Sequence, residues 1–164
     1  MLEIKAKLKI PRSAYKLDVK GQLQLPFASR QKSHLRTKLV SGEEVALMLP
    51  RGEILRGGDL VTASDGRVIE VLAEPEKLLQ LVADSLAKLA YYLGSRHVPV
   101  EVGEGFLRVP ADAGVQDLLA RLGVKASPVE TPFEPEVAEP HDHDCGQDHD
   151  HDHDHDHHGH HHRK

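Results

Sequence analysis

The 164 residues, 39% of them hydrophobic, suffice for one ordinary domain or two small ones with packed cores. The net charge of −5 belongs to one end: residues 140–164 hold seven aspartates against two basic residues, while residues 1–139 hold nineteen acidic and nineteen basic side chains. A neutral body lacks the basic stripe that phosphate contacts need, so no nucleic acid is expected as partner. No apolar run nears the roughly 18 residues of a membrane span, so no membrane is expected either. The opening MLEIKAKLKI alternates instead of forming a signal peptide's apolar block, and the expected compartment is the cytoplasm. The single cysteine, Cys145, rules out an internal disulfide.

Residues 1–73 read as short β segments in a small, mostly antiparallel sandwich or barrel. The first places Ile4, Ala6, Leu8 and Ile10 on one face and Lys5, Lys7 and Lys9 on the other. Further strands are predicted at 23–25, 35–40, 45–49, 60–63 and 67–72, with Asp65-Gly66 as a type I′ hairpin turn. From Pro75 the apolar spacing lengthens: Leu78, Leu79, Val82, Leu86, Leu89, Ala90 and Leu93 predict a helix that starts at Pro75 and stops at Gly94. Strands at 98–102 and 106–109 follow, joined by Gly103-Glu104-Gly105. Asp112 then caps a helix carrying Val115, Leu118, Leu119 and Leu122, and an extended piece covers 124–129. Counting 67–72 as the first strand gives β-α-β-β-α-β, a ferredoxin-like domain at residues 74–130. The predicted class is α+β. Beyond Thr131, three prolines in TPFEPEVAEP predict an unpacked linker, which leads into a disordered Asp/His-rich tail, the two together spanning 131–164.

That tail holds eleven of the thirteen histidines: His141, His143, His149, His151, His153, His155, His157, His158, His160, His161 and His162. Neutral imidazole is a good ligand for Ni2+, Cu2+ and Zn2+, and the interleaved aspartates add oxygen ligands while offsetting the cation's charge. Cys145 is an accessory thiolate ligand or a bystander. A site built this way has capacity rather than discrimination, so which metal it takes is not set by composition. His34, in an alternating strand between Lys32 and Arg36, reads as a solvated strand histidine. His97 lies in Gly94-Ser95-Arg96-His97 between helix and strand, and a lone ligand does not make a site. No Gly-x-x-x-x-Gly-Lys-Ser/Thr, His-Glu-x-x-His or Gly-x-Ser-x-Gly occurs, so no enzyme is expected.

Helix, then GSRH, then VPVEV resembles the Gly-Asn-Arg-His signature of the UreE family of urease accessory proteins and its following strand. ILRGGDLVTASDGRVIEVLAEPE is similar to that family's leucine-arginine-glycine-aspartate stretch, and a histidine-rich C-terminus is a familiar appendage. The resemblance implies an N-terminal β domain that contacts partner proteins and a ferredoxin-like metal-binding domain. It further implies a homodimer in which His97 meets its mate across the two-fold axis and shares a nickel ion. The implied cargo route runs to the urease apoprotein and its accessory GTPase complex. Ser95 replaces the usual asparagine. Where some members carry His-x-His, this chain has Pro110-Ala111-Asp112-Ala113, in which Asp112 reads as a helix cap. The alternative is passive storage or detoxification of nickel, zinc or copper, which needs the tail but gives no reason for GSRH. A histidine-tailed prolyl isomerase is disfavoured by the absence of tryptophan and by aromatics of only 4%.

Overall fold

The computed structural model describes residues 1–10 and 17–137. In the first unit six strands form one curled sheet: β1 (Leu2–Lys7), β2 (Val19–Leu25), β3 (His34–Lys38), β4 (Glu44–Met48), β5 (Leu60–Ala63) and β6 (Val68–Ala73), in the order β2-β6-β5-β1-β4-β3. The β1–β4 and β2–β6 pairs are parallel and the others antiparallel. The sheet curls far enough for Val40 N–H, just past β3, to donate to Gln22 C=O on the opposite edge strand at 2.9 Å. Inside the curl lie Ile4, Leu23, Val45, Leu47, Leu55, Val61, Ile69 and Val71, with essentially no exposed surface. A short helix, α1 (Phe27–Arg30), follows β2.

Two local expectations need correction here. The pairing of β1 with β5 shifts between Ile4 and Ala6, and beyond this irregularity the alternation expected from the sequence is lost. Ala6 and Ile10 are exposed, while half-buried Lys7 reaches the Asp59 carboxylate at 2.7 Å. The β5–β6 turn is not type I′ either, because Gly66 has a positive φ (86°) and Asp65 does not. Gly66 N–H donates to Ala63 C=O and Ala63 N–H to Arg67 C=O, which makes a three-residue loop with glycine at its left-handed last position. Arg67 closes it, donating to Asp65 at 2.6 Å and to Glu43 at 2.7 and 2.9 Å. The side-chain hydrogen bonds from Arg67 hold the Glu43 carboxyl below the usual carboxylate range. Asp65 is lowered first by the Arg67 backbone N–H and then by its guanidinium.

The second unit runs β7 (Pro75–Leu81), α2 (Leu86–Ser95), β8 (Glu101–Gly103), β9 (Phe106–Pro110), α3 (Ala113–Leu122) and β10 (Ala126–Pro132), with its strands in the antiparallel order β10-β7-β9-β8. This is the expected ferredoxin-like β-α-β-β-α-β, but its first strand is β7, whereas residues 68–73 belong to the first sheet. The helix expected from Pro75 starts only at Leu86, where the Ser85 hydroxyl accepts from Lys88 N–H. Leu78, Leu79 and Leu81 are all buried because β7 is a central strand covered on both faces. Such a strand shows a continuous apolar run, and spacing alone does not separate it from a helix. Proline fits as the strand's first residue.

On one face of this sheet Leu79, Leu81, Leu107 and Val109 pack under Leu89 and Leu93 of α2 and Val115 and Leu119 of α3. On the other, Leu78 and Val129 meet Phe27 and Ile54 of the first unit together with Phe133. The unpacked linker expected beyond Thr131 is therefore overturned for residues 131–137. β10 continues to Pro132, Phe133 is 2% exposed, and Glu136 N–H donates to Val100 C=O at 2.8 Å. A buried aromatic and satisfied backbone groups outweigh the proline content.

Candidate metal centre

His97 stands at the C-terminal end of α2, and its backbone is unusual. With φ of 59° it is the one non-glycine residue in the left-handed region among the described residues. His97 N–H donates to Gly94 C=O at 3.0 Å and Val98 N–H to Leu93 C=O at 3.1 Å, the double bond pattern of a Schellman stop with His97 in the position usually held by glycine. Val98 and Leu93 belong to one apolar cluster, the contact that accompanies this motif. The left-handed stop thus falls three residues later than Gly94, which remains helical.

The flanking signature residues complete the stop. Ser95 Oγ donates to Tyr92 C=O at 2.8 Å, taking up a carbonyl at the helix end. The Arg96 guanidinium lies 4.5 Å from the centre of the Tyr92 ring and donates to its hydroxyl. With its neighbours engaged on α2, the His97 side chain is exposed.

It lines a groove of about 750 Å³ where the two units meet. Phe27 comes from the first unit, Glu76 and Pro110 from the second sheet, and Phe133, Glu136 and Val137 from the segment beyond β10. Sequence reasoning missed this groove. The signals for it were Phe133, one of only three phenylalanines, in a segment otherwise dominated by proline and glutamate, and a non-glycine residue at the end of GSRH. Glu76 is already committed, its Oε2 accepting from Phe27 N–H at 2.9 Å.

Among the described residues no three His, Cys, Asp or Glu side chains stand close enough together to hold a metal ion. His34 is on edge strand β3 of the other unit, opposite Met48, with Nδ1 3.2 Å from Ser33 Oγ. Asp112 Oδ1 accepts from Val115 N–H at 2.8 Å, as its capping role requires. The remaining candidates, His141, His143, Cys145, His149, His151, His153, His155, His157, His158, His160, His161 and His162, lie outside the described residues. Residue 137, from which that segment departs, shares the groove with His97.

Profiles of the urease accessory protein UreE match almost the whole chain, the N-terminal domain over residues 10–74 and the C-terminal domain over residues 67–163. The chain belongs to the UreE family. Urease accessory protein UreE of Cupriavidus necator is 49% identical over 131 residues, covering 75% of this chain and 68% of that protein. Those of Cupriavidus pinatubonensis and Ralstonia nicotianae are 48% and 46% identical, each over 75% of this chain and over 59% and 62% of their own lengths. This UreE-family chain therefore spans roughly three fifths to two thirds of the relatives it matches. The family name is that of an accessory protein rather than of a catalyst. No helix among the described residues is long and apolar enough to cross a membrane.

Proposed function

We propose that the chain is a cytoplasmic nickel metallochaperone that serves urease maturation. Its histidine-rich C-terminal residues capture Ni2+, His97 and the partner's His97 of a homodimer hold the ion at the two-fold axis, and the ion passes to the urease apoprotein in complex with its accessory GTPase. Zn2+ and Cu2+ also bind, since imidazole is a good ligand for all three ions. One observation carries this reading: an exposed imidazole on a strained left-handed backbone lines the groove from which the histidine-rich segment departs. Strained residues cluster at functional positions because the surroundings must hold them there. A lone histidine also suits a site completed by symmetry, which supplies the second ligand without a second sequence motif. Release to an acceptor requires ligands that exchange one at a time, and imidazoles tethered to the same chain are present at high effective concentration.

The test is activation of apo-urease, with its GTPase complex, by nickel-loaded chain as sole metal source. Wild type should yield active urease, and His97→Ala, although it still carries nickel on its C-terminal histidines, should do no better than the same amount of nickel salt. Equal activation by both proteins would reduce the chain to a store.

A further inference from the structure

The end of α2 holds His97 from one side, and the stretch that follows, residues 98–101, is held by residues 133–136. Glu136 N–H donates to Val100 C=O at 2.8 Å, and Glu134 N–H donates to Glu101 Oε2 at 3.3 Å. Glu101 Oε1 also accepts from Arg108 Nη1 on β9 at 3.4 Å. Residues 133–136 are in turn gripped by the first unit. Arg30 there is 0% exposed, and a fully buried guanidinium persists only where its donors are met. Its Nε donates to Leu25 C=O at 3.1 Å and its Nη1 to Leu55 C=O at 3.2 Å, both in the first unit. Nη1 donates as well to Glu134 Oε1 at 2.9 Å, and Nη2 to Phe133 C=O. The Glu134 carboxylate also accepts from Arg56 Nη1 at 3.0 Å and from Gly57 N–H at 2.9 Å. A Cβ at residue 57 would stand 3.2 Å from Glu134 Oε1 and 3.3 Å from the Ala73 side chain, tighter than ordinary contact.

We infer that Arg30 and Glu134 are positioning residues for His97: through residues 133–136 the first unit braces the stretch after His97 and so keeps the imidazole in one direction at the groove. This rests on the reading that His97 binds the metal. A non-glycine residue in the left-handed region is strained, and it keeps that conformation only while its surroundings over-determine it. The helix end fixes one flank of His97 through the His97 and Val98 N–H groups, and the hydrogen bonds at Val100 and Glu101 fix the other. Freeing the second flank lets the His97 backbone relax, and the imidazole turns with its Cα. In a site shared across a two-fold axis both copies turn together, so a loss of order in one chain counts twice. The first unit, which offers no imidazole to the groove, thereby sets the geometry of the one that is there.

Amide hydrogen exchange on the full, metal-free chain tests the brace, since His97 N–H and Val98 N–H both donate into the helix end and exchange when it opens. Glu134→Gln takes the carboxylate from two arginines but leaves Arg30 its three backbone carbonyls, and Gly57→Ala keeps the charge but crowds it. In both variants exchange at His97 and Val98 should accelerate about tenfold or more, while the amides of Leu89, Leu107 and Val109 keep their wild-type rates. Wild-type rates at His97 and Val98 in either folded variant, or acceleration spread evenly over the chain, would overturn the brace. The second readout is the initial rate at which nickel-loaded full chain activates apo-urease with its GTPase complex. At equal nickel content both variants should be slower by about tenfold, the lower end of what loss of a ligand-orienting contact costs, whereas a purely structural Glu134 would leave the rate alone. Faster exchange at His97 with wild-type activation would overturn the positioning role. If His97→Ala itself activates as well as wild type, the metal reading fails, and the exchange rates still decide the brace.

Discussion

Holding a non-glycine residue in the left-handed region costs about 1–2 kcal/mol, and His97 bears that cost at a position where glycine would bear none. His97→Gly should therefore stabilise the folded chain by about 1 kcal/mol, raising the thermal midpoint by a few degrees, while removing the imidazole. His97→Ala removes the same imidazole but keeps a Cβ, so its midpoint should stay near that of wild type. Thermal unfolding of the three proteins separates backbone strain from side-chain chemistry. A His97→Gly protein no more stable than His97→Ala would mean that the left-handed geometry is not costly here. The histidine was legible because it ends a signature. Its backbone was not, since the same sequence offers Gly94 three residues earlier as an easier stop. What decides between them is tertiary: Leu93 and Val98 must both reach the core over the sheet, which carries the helix on to Ser95.

The strand at 60–63 was predicted with its observed bounds, and the start of α3 was legible from Asp112. The failures lie where an element is buried on two sides or held by distant partners. β7 looked like the first turns of a helix because Leu78 faces the other unit while Leu79 and Leu81 face the helices. The stretch after Thr131 looked like a linker because the residues that order it, Arg30 and Phe27, are remote in sequence. These contacts predict where the folded body ends. A chain cut after Val137 should unfold at the same denaturant midpoint as the full chain. Cutting after Thr131 deletes the buried Phe133 and strips Arg30 of its carboxylate, changes that each typically cost about 3–5 kcal/mol. Even with partial relaxation, a loss of at least about 3 kcal/mol is expected. Denaturant unfolding of the two truncated chains decides it, and equal midpoints would show that residues 132–137 merely rest on the surface.

The whole molecule is two small cores joined across Phe27, Leu78 and Phe133, with the groove at the joint and the histidine-rich segment rooted beside it. Family and fold class were legible in the sequence, because motif and spacing are local. The groove was not, since it exists only once both units and residues 133–137 come together. In the function proposed above the folded body supplies one ligand, His97, so a defined nickel site would take two bodies, and the stoichiometry would follow from symmetry. Calorimetric nickel titration of the chain ending at Val137, where C-terminal imidazoles no longer mask other binding, measures this directly. One tight nickel ion per two chains is expected, lost in folded His97→Ala and retained in His34→Ala. Undiminished tight binding by folded His97→Ala protein would contradict the shared His97 site.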